Sequence, residues 1–175
     1  MIGEISRDAT LHGKVIPLAF HVDYWNLGWR DPYSSPEWSQ RQAAYVQTMN
    51  LDSVYTPQAV INGTTQMVGS NRKAIYGAIE RASREPSIAR VSLAGGVAKG
   101  WSSREADLIA LVVRGDPPTA VKAGENEGRT LHNDAVVRKL TRIARVRGAF
   151  TQPVGDANVV LLQDPKTLKI YAATR

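Results

Sequence analysis

The chain has 175 residues, 43% of them hydrophobic and 22% charged, with a formal net charge of +6 and no cysteine. That is ordinary globular composition, with enough length to bury a real core. It excludes disulfides, thiolate metal sites and every cysteine-based nucleophilic or redox mechanism in this chain.

No apolar run approaches the roughly 20 residues of a bilayer-spanning helix. The start, MIGEISRDATLHGKVIPLAF, has acidic residues early and no compact apolar block ending in small residues, so it does not read as a signal peptide. Met1 to Lys14 is polar and weakly patterned, as in a frayed end or the tail of a longer element.

Val15 to Tyr24 is nearly continuously apolar, which predicts a strand buried on both faces of a parallel sheet. His21 and Asp23 then share one face. No third metal ligand stands out by spacing, so a hydrogen-bonded pair near the strand end is the favoured reading. Trp25 to Pro36 is a loop carrying Trp25, Trp29, Tyr33 and two prolines. Such aromatic loops serve either as binding surfaces or as lids over a sheet edge.

Two helix starts compete next: Ser34 with Glu37 at capping-box spacing, or Ser35 followed by Pro36. Trp38, Tyr45 and Met49 recur at helical spacing, so one face packs on the sheet, and Asn50 is a plausible end. Val54 to Ile61 reads as a strand. Asn62-Gly63 predicts a type I′ hairpin turn, and Thr64 to Val68 is the return strand. Asn62-Gly63-Thr64 also fits a glycosylation sequon, but the turn accounts for the same residues. Ser70 or Asn71 caps a further helix whose buried face is Ile75 and Ile79 with Ala74, Ala78 and Ala82; Pro86 ends it.

A second region begins near Ser87. Arg90 to Val97, Ala106 to Val113 and Thr119 to Ala123 are short strand-like runs separated by Gly, Ser and Pro. Gly124 to Asp134 is a polar loop. Ala135 to Val146 fits a helix through Val136, Leu140 and Ile143, yet its β-branched content tolerates a strand. Val159 to Gln163 and Leu168 to Ala172 form a hairpin across Asp164-Pro165-Lys166-Thr167. These elements divide the chain at 1–86, mixed helix and strand, and 87–175, mainly β.

Arg129, Arg138, Lys139, Arg142, Arg145 and Arg147 stand against Asp134 alone. A patch of this kind attracts phosphates, but a charge run is more often a solvated face. A nucleic-acid or phosphate-binding protein is therefore the alternative reading. It ranks lower because the aromatics lie mainly in the other region, not interleaved with these arginines. An enzyme using His21, Asp23, Asp31 or His132 has no nucleophile–base spacing behind it. No catalytic residue, metal site or cofactor is assigned.

The phrases FHVDYWNLGWRDPYSSPEWSQRQAAY, VYTPQAVING and GENEGRTL, in this order, resemble the bacterial thioredoxin-like family known as domain of unknown function 1223. The similarity runs from about Val15 through LLQDPKT. The resemblance implies an α/β fold: a partial thioredoxin-like domain, strand-helix-strand-strand-helix, followed by a small mainly β domain. It implies a cis Thr56–Pro57 bond, and a strand rather than a helix at 135–146. Family members carry a first strand and a cysteine pair on a helix upstream of this point and are typically exported. The resemblance thus implies a shortened chain without thiol–disulfide activity, a binding module or truncated oxidoreductase-like protein. Its surviving surface would be Trp25, Trp29, Thr56 and Pro57, for an unknown protein or peptide partner. A missing first strand would leave an exposed sheet edge prone to self-association. The compartment stays unassigned.

Overall fold

The structure, a computed structural model, describes residues 2–26, 29–122 and 127–175. Ten elements follow in order: α1 (Ile2–Arg7), α2 (Pro36–Thr48), β1 (Gln58–Ile61), β2 (Thr65–Val68), α3 (Arg72–Ser83), β3 (Ala89–Ala94), β4 (Val97–Ala120), β5 (Thr130–Pro153), β6 (Val159–Gln163) and β7 (Ile170–Thr174). They make a mixed α/β molecule, mostly strand, with two sheets. One is the β1–β2 hairpin; the other has five strands in the order β3-β4-β6-β7, with β5 on β4. Among the described residues no helix is long and apolar enough to cross a membrane.

The helix ends follow local side-chain chemistry. Of the two competing caps for α2, Ser35 wins: its Oγ accepts from the Glu37 N–H at 3.2 Å, with Pro36 as the first helical residue. At the other end Asn50 takes a left-handed φ of 51°. Leu51 N–H then reaches Val46 O and Asn50 N–H reaches Gln47 O, the Schellman pattern that satisfies the last carbonyls. Asn71, not Ser70, caps α3 through the Ala74 N–H, and Ile75 and Ala78 are buried. Ala135–Val146 is strand throughout, inside β5.

The β1–β2 hairpin turns at Asn62-Gly63, where φ is 48° and 70°. Gly63 is doubly required. A Cβ there would sit 2.1 Å from the Leu168 carbonyl oxygen, because the turn packs on the β6–β7 connection. Ile170 N–H donates to Asn62 O at 2.8 Å and ties the hairpin to the large sheet. β1 is shorter than expected: 54–57 lie outside it.

Four expectations for the chain need correction. Ala106–Val113 and, of the run expected at Thr119–Ala123, Thr119 and Ala120 belong to one strand, β4, of 24 residues, paired with a β5 of equal length; Val121 and Lys122 lie beyond its end. The Gly, Ser and Pro residues between them are absorbed as register shifts, such as those at Ser102/Ala106 and Asp116/Thr119. The polar loop begins β5 at Thr130, and Ala123 to Asn126 lie outside the described residues. Met1–Lys14 contains α1, whose Ile5 is buried and whose Arg7 meets Asp134 at 3.3 Å.

Val15–Tyr24 is no sheet strand. It makes one parallel bridge, Ala19 to Val136, through Ala19 N–H to Ala135 O at 2.8 Å and Val137 N–H to Ala19 O at 2.9 Å. Its apolar content serves packing instead. Ile16, Leu18 and Phe20 join a core of Trp38, Ile109, Leu111, Val113, Val137, Val159 and Leu161. Trp38 is 4% exposed and meets Phe20 edge-on at 5.2 Å between centroids. A second core of Leu108, Ala110, Val146, Val160 and Leu162 lies on the other side of β4. This is why Leu108–Val113 reads as an unbroken apolar run: alternate residues serve different cores.

Candidate functional site

Helix α2 positions the expected surface from beneath. Gln42 Nε2 donates to the Tyr55 carbonyl at 2.8 Å and to Gln58 Oε1 at 3.1 Å, while its Oε1 accepts from Tyr24 OH at 2.8 Å. One turn earlier, Ser39 Oγ donates to Asp23 Oδ1 at 2.5 Å and accepts from the Asp23 N–H at 3.1 Å. Ser39 and Gln42 are three apart, so they share a helix face. That polar face clamps both the 23–24 turn and the 55–58 segment to the same helix. These two residues were not singled out in the sequence; their only signal was polarity at a spacing of three beside a buried tryptophan.

Trp25 and Thr56 meet directly. The Trp25 indole Nε1 donates to Thr56 Oγ1 at 2.8 Å, while Trp25 as a whole is 62% exposed. The Thr56–Pro57 peptide bond is cis. The Pro57 carbonyl accepts from the Gly69 N–H at 2.7 Å, and a Cβ on Gly69 would meet Pro57 Cβ at 3.1 Å. Trp29 is half-buried further along the loop, and Leu27 and Gly28 between the two tryptophans lie outside the described residues. The structure thus joins Trp25 to Thr56-Pro57 and shows no bond from Trp29 to them. Val54 and Val68, 42% and 49% exposed, flank the same stretch, Val68 being paired with Gln58. Three of the five large exposed hydrophobics among the described residues therefore lie around Thr56-Pro57.

The His21–Asp23 pair does not form. With no strand there, the period of two lapses, and His21 Nδ1 instead pairs with Asp31 Oδ2 at 2.7 Å. Burial is the largest influence on Asp31 and opposes its ionisation. The bond and charge of His21 together with the Tyr33 N–H outweigh it and hold the carboxyl below its usual value. His21 also meets Tyr33 edge-on at 5.7 Å, and the Arg138 guanidinium lies 4.8 Å from the Tyr33 ring centroid. These contacts fasten the far end of the loop to β5. His132 lies in β5, and among the described residues no group of three or more His, Asp or Glu gathers as metal ligands. The surface offers an indole, a hydroxyl, a proline ring and apolar side chains.

The arginine run is not one patch. Arg138 pairs with Asp116 at 3.2 Å, Arg142 with Asp107 at 3.7 Å, and Arg145 with Asp107 at 2.9 Å and Glu105 at 3.4 Å. The carboxylates come from β4, which antiparallel pairing brings alongside.

A solved crystal structure of a protein from Agrobacterium tumefaciens is similar to this chain at 26% identity, covering 99% of this chain and 85% of that one, with a TM-score of 0.77. No curated protein matches the chain. The family described as "Protein of unknown function (DUF1223)" matches residues 1–167. With nearly the whole length matched, the chain belongs to that family of unknown function.

Proposed function

We propose that this protein is a thioredoxin-like binding module, in which 1–86 carries the recognition surface and 87–175 is its mainly β support. The element order supports the reading: a helix, a hairpin entered just after Thr56-Pro57, and a second helix. Without a cysteine the chain does not exchange disulfides. It binds an apolar, extended peptide segment across Trp25, Trp29, Thr56 and Pro57. The observation that carries this is the 2.8 Å bond from Trp25 to Thr56. It holds an exposed indole at Thr56, the residue before the proline, with the exposed Val54 two positions before it in the chain and the exposed Val68 paired with Gln58; exposed apolar side chains gathered in this way mark interaction sites.

The test is selection of peptides from a random displayed library on the intact protein, with Trp25→Ala as the counter-selection. Sequences rich in aliphatic residues that bind the wild type and lose at least about tenfold in affinity on Trp25→Ala support the reading, the loss expected of a central aromatic anchor. Peptides that bind both proteins equally, or no enrichment at all, would remove it.

A further inference from the structure

Three cations, Arg90, Lys99 and Arg147 (the last residue of the arginine run), gather around Trp101. β3, β4 and β5 pair there in two rows: Arg90, Trp101 and Ala149 across one, Ser92, Lys99 and Thr151 across the next. All six residues are exposed. The alternate residues Val91, Leu93, Ala98 and Phe150 belong to the core beneath. The strands are thus one-sided, and the residues of their outer face are exposed. Trp101 stands on it 38% exposed, with the Arg90 guanidinium 5.8 Å from its ring centroid. Arg147, two residues along β5 from Ala149, is exposed as well.

Arg138, Arg142 and Arg145 are matched by carboxylates, whereas no carboxylate meets Arg90, Lys99 or Arg147 among the described residues. β3, the 97–103 part of β4 and the 147–153 part of β5 contain no Asp or Glu. The interleaving of aromatic and cation that the linear sequence lacked is created by strand pairing.

We propose that this face binds single-stranded nucleic acid, with a base stacked on Trp101 and phosphates on Arg90, Lys99 and Arg147. Base stacking on an exposed aromatic within a basic groove is how sequence-tolerant single-strand binders work. Ser92, Ala149 and Thr151 on the same face are small and exposed, and leave Trp101 as its one large ring. A sulfated polysaccharide meets the same cations but brings no planar ring for the indole. This site is separate from the Trp25–Pro57 surface, and either can fail without the other.

The experiment is anisotropy of a labelled oligothymidylate of about 15 nucleotides, near the upper site size of one single-strand-binding unit, titrated with the full chain. Dextran sulfate is the non-stacking polyanion. Binding is expected at about 50 mM salt and should weaken steeply by about 200 mM as counterion release lapses. Trp101→Ala should lower oligonucleotide affinity about tenfold, the loss of one stacked base, and leave dextran sulfate binding nearly unchanged. Trp101→Phe should restore most of it. Lys99→Gln and Arg90→Gln should each flatten the salt dependence by about 0.7 in logarithmic slope. Arg142→Gln, whose charge is already matched, should change affinity by less than about twofold. Folding of each variant is checked by circular dichroism; if Trp101→Ala does not fold, Trp101→Phe and Lys99→Gln decide. No oligonucleotide binding at low salt, or equal losses for oligonucleotide and dextran sulfate on Trp101→Ala, would overturn the assignment.

Discussion

Gln42 Nε2 lies 2.8 Å from the Tyr55 carbonyl oxygen, and this bond fixes the segment before Pro57 to helix α2. The same side chain holds Tyr24 OH and Gln58 Oε1. Gln42→Ala strands all three groups in a half-buried place. The expected cost is about 2 kcal/mol, the desolvation of polar groups left unpaired, read as a lower urea midpoint with unchanged slope. A change below about 0.5 kcal/mol, the level of an ordinary surface substitution, would mean that water replaces the clamp.

The Trp25–Thr56 bond is exposed, so its energy is small and best isolated in a double-mutant cycle. Trp25→Phe, Thr56→Val and the pair together should show a coupling of about 0.5–1 kcal/mol, the net worth of one hydrogen bond. Additive effects would show that the indole and the hydroxyl do not meet in solution.

Gly63 and Gly95 both have positive φ, 70° and 55°, but only Gly63 is crowded; nothing lies within 4 Å of a Cβ at Gly95. Gly95→Ala should cost about 1 kcal/mol from backbone strain alone. Gly63→Ala should cost at least about 3 kcal/mol, because the Leu168 carbonyl must also move. Thermal midpoints of the two variants check the order; equal losses would contradict the packing of the hairpin turn on the β6–β7 connection.

Acid stability has a sign set by Asp164. Burial is the largest single influence on it and opposes ionisation. The Tyr171 hydroxyl and the Thr167 and Lys166 N–H groups outweigh that and bring its pKa to about 2. The folded value lies below the unfolded one, so this contribution is present above about pH 4, where the unfolded carboxylate is ionised. It is lost as pH falls from about 4 through about 2. Asp31 and Asp8, also lowered, act in the same direction. Asp164→Asn should flatten the decline of the urea midpoint in this window while lowering the midpoint at neutral pH. An unaltered pH profile would show that the Asp164 network does not form.

Much of the local structure was legible because its causes are local. The Asn62-Gly63 turn needs two positive φ values, and few residue pairs supply them as readily. Ser35-Pro36, Asn50 and Asn71 mark helix ends because their side chains or backbone preferences act within one turn. The β7 hairpin was legible from the apolar run Val159–Gln163 and the turn residues after it, although β7 begins at Ile170 rather than Leu168. The strand expected over Val54–Ile61 begins only at Gln58, directly after Pro57, which has no N–H to give to the ladder.

Where the reading failed, one cause recurs. The run Val15–Tyr24 is apolar enough for a buried strand, but whether it pairs or packs depends on which edge is free, and β5 offers it a single bridge. The Gly, Ser and Pro residues within β4 look like breaks, yet a long partner strand tolerates them as bulges. His21 was assigned to Asp23 by a strand period that its backbone does not follow, and the loop brought Asp31 instead.

By itself the sequence determined the composition class, the helix caps, the tight turns and the exclusion of thiol chemistry, because each depends on a residue and its few chain neighbours. The tertiary structure decided which carboxylate neutralises each arginine, which cations stay unmatched and which ring stands beside them. It also decided that Trp25 meets Thr56 across 31 positions of chain. These are properties of residues brought together from distant positions, and the pairing of β3, β4 and β5 with the docking of α2 creates them.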